Sequence, residues 1–198
     1  MTDGDDLIDR AVVSGGLLAR YQQSHRHYHN LDHIQYVLST VDSLDAGPHR
    51  QAIRLGAWFH DAVYAPGRDD NEERSAFVAA EALEIAAASP SLISEVVRLV
   101  LVTRDHTPAA DDEAGAILSD ADLRILASDA EMYGRYIANV RKEYQLIPDE
   151  VFFPARKEIL QRFMDRPHLF ATQFARDQWE QSARRNLAAE IDSFMEIT

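Results

Sequence analysis

Residues 48–64, "PHRQAIRLGAWFHDAVY", decide the fold that this sequence predicts. The stretch opens with Pro48, a residue favoured at the first position of a helix. Its "LGAWF" segment is apolar on almost every side, and a helix without a polar face is a buried one. The stretch therefore predicts a buried helix that leads directly into two polar residues, His60 and Asp61.

Most of the remaining chain also has helical periodicity. Residues 31–44, "LDHIQYVLSTVDSL", place their aliphatic side chains on one helical arc, and Asn30 is suited to be the N-cap. Ser89 and Pro90 predict the start of another helix, Pro148 predicts a break between two helices, and Pro167 predicts the start of a short one. No alternating strand pattern is present, so we predict an all-α bundle of about eight to ten helices.

The length of 198 residues predicts one domain. We expect residues 1–198 to form it, with the motifs in a core of about 20–130 and the helices of 130–198 completing the bundle. The absence of cysteine excludes disulfides and thiolate metal sites. The acidic N-terminal segment lacks the pattern of an export signal, and no apolar run is long enough for a membrane span. These features predict a cytoplasmic protein without a membrane partner.

The formal net charge of −13 disfavours a nucleic-acid partner, because nucleic-acid binding needs a basic face. A small anionic substrate is compatible with this charge if a few arginines or a metal ion supply local positive charge. The sequence thus predicts a small-molecule partner and leaves the oligomeric state open.

Several polar residues occupy places where a core is expected. His60 and Asp61 follow the apolar run directly, and an unpaired charge beside a core is costly. His33 lies at the margin of its helix's apolar arc, in the first turn, where the helix dipole favours the neutral ring that a metal ligand must have. The alternative for each histidine is a ring that hydrogen-bonds within the core.

"LSDADLRIL", residues 118–126, adds two carboxylates after an apolar run. Ser119 and Asp122 could form a capping box at a helix start, or one aspartate could be a ligand. With the two histidines and Asp61, a later aspartate completes a set of two nitrogens and two oxygens. Such a set suits Mn²⁺, Fe²⁺, Ni²⁺, Co²⁺, Zn²⁺ or Mg²⁺.

The order of these residues resembles the H…HD…D pattern of the HD-domain superfamily of metal-dependent phosphohydrolases. The first histidine stands 27 residues before the histidine–aspartate pair. The blocks "HYHNLDHI", "AWFHDAVY", "DNEERSA", "LSDADLRIL", "RKEY" and "SARRNL" are similar to a bacterial subgroup described as predicted HD phosphohydrolases. The resemblance runs from about residue 20 to about residue 190, so it covers most of the chain.

The resemblance implies a divalent metal ion held by His33, His60, Asp61 and Asp122, with Asp120 as the rival for the last position. It implies an enzyme that hydrolyses a phosphoric ester of a small metabolite or nucleotide, in which Asp61 also orients the attacking water. The metal would polarise a phosphoryl oxygen and activate that water.

The sequence departs from some relatives at the catalytic acid or base. Several carry an acidic residue three or four positions after the HD pair, where this chain has Tyr64 and Ala65. Glu72 is the expected substitute, with neighbouring Glu73 as the alternative, although acidic residues in a first turn also stabilise a helix. His106 is a further candidate, as an acid or as a ligand to a second metal.

Phosphate recognition needs fixed positive charge. Arg26 and Arg104 stand close to histidines of interest and are predicted to bind substrate, together with His29. Further arginines from the C-terminal helices could contribute, namely Arg141, Arg156 and Arg184. For each, a solvated surface arginine is the alternative.

Two other functions fit parts of the sequence. A regulatory module that binds a metal or nucleotide without turnover fits the missing acidic residue. A di-iron oxygenase of the HD type would need more histidine ligands than this chain offers between His60 and Asp122.

Overall fold

The computed structural model describes residues 3–194, all-α and with no strand in that range. The α-helices are α1 (Asp3–Ser14), α2 (Leu17–Tyr21), α3 (Leu31–Ser43), α4 (Arg50–Phe59), α5 (Asn71–Ile85), α6 (Pro90–Val102), α7 (Glu113–Leu123), α8 (Ala130–Glu143), α9 (Asp149–Met164) and α10 (Gln173–Ser193). Short 3₁₀ helices span Gly47–His49 and Arg124–Ala127. The predicted all-α bundle is confirmed. The predicted domain also includes residues 1–2 and 195–198, which lie outside the described residues.

Helix α4 is the buried helix that residues 48–64 predict. It packs against α3, α6 and α7, and its Ile53, Leu55 and Phe59 are fully buried. Burial of each such side chain contributes about 1.5–3 kcal/mol. Gly56 allows the close packing, because a Cβ there would lie only 3.0 Å from the Leu118 side chain of α7. The contact brings the end of α4 beside α7.

The helix starts follow local chemistry. The Asn30 side chain accepts the backbone N–H groups of Asp32 and His33, so it is the N-cap of α3 as predicted. Ser89 caps α6 in the same way, with Pro90 at the first helical position. None of the described helices is both long and apolar enough to cross a membrane.

Two hydrophobic clusters form the interior. The first contains buried side chains of α1 to α7, and the second contains those of the Arg124–Ala127 turn and α8 to α10. Ala121 belongs to the first cluster and Leu123 to the second. Asp122 therefore stands between the two clusters, on the last turn of α7.

The prediction that Pro167 begins a short helix is wrong, since residues 165–172 are not helical. Carboxylates from neighbouring helices satisfy the backbone of this segment instead. Asp120 accepts the N–H groups of Ala171 and Thr172, and Glu180 accepts those of the two preceding residues. Because the N–H groups already have partners, the segment needs no helical turn.

The capping-box interpretation of Ser119 is also wrong. Helix α7 begins at Glu113, and Asp112 is its N-cap, with the side chain accepting the N–H of Gly115. Ser119 and Asp122 thus lie inside the helix, where no first-turn N–H group needs a cap.

Candidate metal centre

Side chains from three parts of the fold meet at the C-terminal end of α4. His33 comes from the first turn of α3, His60 and Asp61 follow α4, and Asp122 comes from α7. The Nε2 atoms of His33 and His60 are 3.1 Å apart. Asp122 Oδ1 lies 3.2 Å from His33 Nε2 and 3.5 Å from His60 Nε2. These three side chains form a group that could hold a metal ion.

Asp61 brings a carboxylate oxygen close to both histidine nitrogens. Its Oδ2 lies 3.4 Å from His33 Nε2 and 3.1 Å from His60 Nε2, yet it is buried and has no hydrogen-bond partner. Ligand atoms bound to one ion at about 2.0–2.2 Å lie roughly 3.0–3.5 Å from each other, and the observed separations fall in that range.

The ring orientation of His60 also suits a ligand. Its Nδ1 donates to the backbone carbonyl of Ala57 at 2.9 Å, because a carbonyl oxygen can only accept. In the neutral ring, which a metal ligand must be, that bond leaves Nε2 as the nitrogen with the lone pair, directed at the cluster. Helix α4 thus supplies both the position of the ring and its tautomer.

The electrostatics of the cluster couple two rings to two carboxylates. Burial opposes charge on His60, but Asp61 and Asp122 outweigh it and hold the pKa of this ring well above its usual value. Burial likewise opposes ionisation of the carboxylates, yet the charge of His60 keeps the pKa values of Asp61 and Asp122 well below their usual range. The site therefore stabilises two carboxylate charges, which a cation would neutralise.

The structure places Asp122 at the cluster and Asp120 away from it. Residues two positions apart on a helix point in directions that differ by roughly 200°, so both cannot face the same point. The Asp120 carboxylate accepts the N–H groups of Ala171 and Thr172 at 2.6 Å and 2.7 Å.

His106 lies on the other side of Asp122. Its Nε2 is 3.6 Å from Asp122 Oδ2, and its Nδ1 is 3.3 Å from the Ser119 hydroxyl. Burial lowers the pKa of the His106 ring, although Asp122 opposes that effect. The residue has a positive φ of 51°, and Arg166 donates to the carbonyls of Asp105 and His106. These bonds hold the loop against the segment that follows α9.

Of the two glutamates after the HD pair, Glu72 has the perturbed environment. It lies half-buried in the first turn of α5, and burial raises its pKa, with a further contribution from the charge of Asp61. Glu73 is exposed and pairs with Arg104. A catalytic role for Glu72 remains a prediction.

The two arginines predicted to bind phosphate already bind other groups of the protein. Arg26 is buried and donates to the backbone carbonyls of His29, Asp61 and Ala62 at 2.7–3.2 Å. Arg104 is exposed on the surface beside Glu73. The local sequence beside a histidine did not reveal that carbonyls and a carboxylate would occupy these groups.

The three C-terminal arginines are also paired within the protein. Arg141 binds Asp149, Arg156 binds Glu190 and Arg184 binds Glu180. Among them, Arg156 lines the cavity described below.

Glu143, at the end of α8, is a site residue that the sequence reasoning missed. Its Oε2 accepts from His29 Nδ1 at 2.6 Å and from the Tyr64 hydroxyl at 3.0 Å. Its Oε1 accepts three consecutive backbone N–H groups, those of residues 27–29. The sequence indicated this region only through the "RKEY" block of the resemblance, which did not predict a partner for the glutamate.

Two cavities adjoin the cluster. One of about 150 Å³ is bordered by His29, His106 and Asp122, with apolar walls from Leu160 and Phe163. The other, of about 290 Å³, lies on the His33 side and is lined by several tyrosines and polar side chains, including Tyr28, Tyr36, Tyr136, Asn30 and Asn139. A ligand group could thus reach the cluster from either side.

No protein-family model, no curated protein and no solved structure matches this chain.

Proposed function

We propose that the protein is a metal-dependent phosphohydrolase of the HD type that acts on a small phosphorylated metabolite or nucleotide. The observation that carries this proposal is the approach of Asp122 Oδ1 and of Asp61 Oδ2 to both histidine Nε2 atoms, which are 3.1 Å apart, at distances between 3.1 Å and 3.5 Å. His33, His60 and Asp122 form a group that could hold one divalent ion of the Mn²⁺, Fe²⁺, Co²⁺, Ni²⁺, Zn²⁺ or Mg²⁺ series, and we expect Asp61 to be a further ligand.

When bound, such an ion polarises a phosphoryl oxygen and lowers the pKa of a water molecule. The side chains supply the rest. Asp61 would supply a charged carboxylate to orient the attacking water, and Leu160 and Phe163 give the adjoining cavity apolar walls that would limit the water around a bound phosphoester. A cavity of about 150 Å³ favours a small substituent on the phosphate over a polymer.

A specific observation supports a second function, a module that binds a metal without turnover. Arg26 and Arg104 are both held by other groups of the protein, so neither offers a free guanidinium to a phosphate. In that case the protein would bind a divalent ion and show no hydrolysis of any phosphoester.

The test combines metal analysis with a phosphoester screen. Protein purified without chelators and loaded with Mn²⁺, Co²⁺ or Ni²⁺ should retain about one ion per chain, and release phosphate from some member of a broad panel. Asp122→Asn should abolish both retention and release. Binding without release would favour the second function.

Asp120→Asn is the matched control, because Asp120 is a buried carboxylate two residues away on the same helix. In this variant the backbone N–H of Ala171 or that of Thr172 loses its charged acceptor. The free energy of unfolding should fall by about 1–3 kcal/mol, while the variant retains the metal. Loss of metal in Asp120→Asn with full retention in Asp122→Asn would refute the proposed ligand set.

A further inference from the structure

A third cavity, of about 450 Å³, lies between α2, the loop before α3, the segment after α4 and the start of α5. The polar and charged side chains in its walls are those of Arg20, Gln23, His25, Tyr64 and Arg74. Among the described residues, no carboxylate lines this cavity, whereas Asp32 and Asp122 line the two cavities beside the candidate metal centre. In a chain with 33 acidic and 20 basic side chains, such a cavity is a local exception.

Both arginines of this cavity keep free guanidinium N–H groups. Arg20 donates through Nε to the Gly15 carbonyl at 2.9 Å, and its two terminal nitrogens have no hydrogen bond in the described part of the chain. The Arg74 side chain makes neither a hydrogen bond nor an ion pair there. The charge of Asp70 reaches Arg74, but the Asp70 carboxylate binds Arg68 at 2.6 Å. Two positive charges without a bound carboxylate therefore border one cavity.

Gln23 adds a neutral donor to the same cavity. Its Oε1 accepts from Arg26 Nε at 3.2 Å, because Nε can only donate. The amide oxygen of Gln23 is thus occupied, and its NH₂ group, which can only donate, is the end of the side chain left for a ligand.

The backbone wall of the cavity has its acceptors occupied. Each carbonyl of residues 61–65 accepts a hydrogen bond from a side chain of the protein. The donors are the side chains of His25, Arg26, Asn71 and Ser75. The cavity therefore presents hydrogen-bond donors and positive charge, while the nearby carbonyl oxygens are already bound. These are the properties of a site that binds an anion.

We propose that this cavity is a second ligand site, which binds a small phosphate-bearing anion of the size of pyrophosphate. The terminal N–H groups of Arg20 and Arg74 would bind its oxygens in pairs, since a guanidinium matches the spacing of phosphate oxygens. The amide of Gln23 would add a third donor. The proposal does not depend on the proposed hydrolysis, because the four residues expected to hold the ion are not among those that line this cavity.

Isothermal titration calorimetry with pyrophosphate tests the site. Protein stripped of metal and dialysed into chelator-free buffer should bind about one pyrophosphate per chain, and more weakly at higher salt, because salt screens exposed charges. Arg20→Gln and Arg74→Gln should each weaken binding by about 10–100-fold, since each removes charge-assisted hydrogen bonds. Arg74→Lys should restore part of the affinity, because it keeps the charge and loses the paired N–H groups.

Arg185→Gln is the matched control. Arg185 is also an exposed arginine without a carboxylate partner in the described part of the chain, and its guanidinium donates to the Ser182 hydroxyl, away from the cavity. This variant should bind pyrophosphate as the wild type does. Succinate carries fewer charges than pyrophosphate and should bind more weakly; tighter binding of succinate would overturn the assignment to a phosphate ligand.

Two further results would overturn the proposal. One is the absence of pyrophosphate binding by the wild type, and the other is equal affinity in the wild type and Arg74→Gln. A second measurement locates the anion directly. In NMR spectra of ¹⁵N-labelled wild-type protein, pyrophosphate should shift the backbone amide signals of residues 62–65. Shifts confined to the surroundings of His33 and Asp122 would place the anion at the candidate metal centre and refute the second site.

Discussion

The titration of Glu143 should make the free energy of unfolding depend on pH, and the substitution Glu143→Gln should remove that contribution. In the unfolded chain its carboxyl has the ordinary pKa of 4.5, and in the folded protein the His29 side chain and three backbone N–H groups, acting against burial, lower that pKa to about 2. A group whose pKa is lowered by folding stabilises the native state at pH values above its unfolded pKa. The contribution is lost as the pH falls through the folded pKa.

The magnitude follows from the shift. A difference of roughly 2.5 pKa units at about 1.4 kcal/mol each corresponds to about 3 kcal/mol near pH 7, of which roughly 1 kcal/mol is gone near pH 3.5. Glu143→Gln cannot titrate, but its amide oxygen can still accept the N–H groups of residues 27–29. The stability difference between wild type and variant should therefore narrow by roughly 1 kcal/mol between these two pH values.

Urea unfolding followed by circular dichroism measures both proteins at each pH. Other carboxylates titrate equally in the two proteins, so their effects cancel in the difference. Asp42→Asn is a useful comparison, because Asp42 is a more exposed carboxylate paired with two surface arginines, and its effect should be smaller. A difference between wild type and Glu143→Gln that stays constant from near pH 7 to near pH 3.5 would refute the reasoning.

Two further predictions concern the fold. Phe59→Ala should lower the free energy of unfolding by about 3–5 kcal/mol, because Phe59 is fully buried at the end of α4, whereas Phe77→Ala at a 63 % exposed position should change it by less than about 0.5 kcal/mol. Equal effects in urea titrations would contradict the assigned core. Asn30→Ala should cost about 1 kcal/mol, since the Asn30 side chain caps two N–H groups of α3, and an unchanged thermal midpoint in calorimetry would argue against the cap.

The parts of the fold that the sequence predicts are those governed by local rules. An apolar run such as "LGAWF" has to be buried, and Asn30 before an amphipathic stretch has to cap it, whatever the rest of the chain does. His60 and Asp61 stand directly behind a buried helix and had to be near the core. Local rules left the roles of His33 and Asp122 open, and the resemblance to the H…HD…D pattern joined them to this pair; both residues sit on helices that pack on α4.

The choice between Asp120 and Asp122 could not be made from local sequence. It depends on where α7 lies in the sequence. The helix starts at Glu113, after the Asp112 cap, so that Asp122 faces the candidate centre and Asp120 faces residues 171–172. The sequence offered Ser119 as a competing start. The two possible caps, Ser119 and Asp112, are seven residues apart, and this difference was enough to leave both aspartates open.

The histidine-rich stretch at residues 25–29 shows why the residues that support the site through hydrogen bonds were not predicted. His25 Nε2 lies 3.0 Å from the Tyr64 carbonyl, Arg26 donates to the Asp61 carbonyl at 2.7 Å, and Glu143 binds the backbone that follows. Each of these bonds joins segments from 35 to 116 residues apart, so no periodicity in the sequence indicates them.

Arg26 was predicted to hold a substrate phosphate, but it holds the carbonyl of a residue proposed to bind the metal. Burial of a guanidinium costs desolvation energy, which its charge-assisted hydrogen bonds to these carbonyls offset. The stretch therefore fixes the backbone around the site. His29 is its side chain that lines the cavity of about 150 Å³ and is also bound to a carboxylate, that of Glu143.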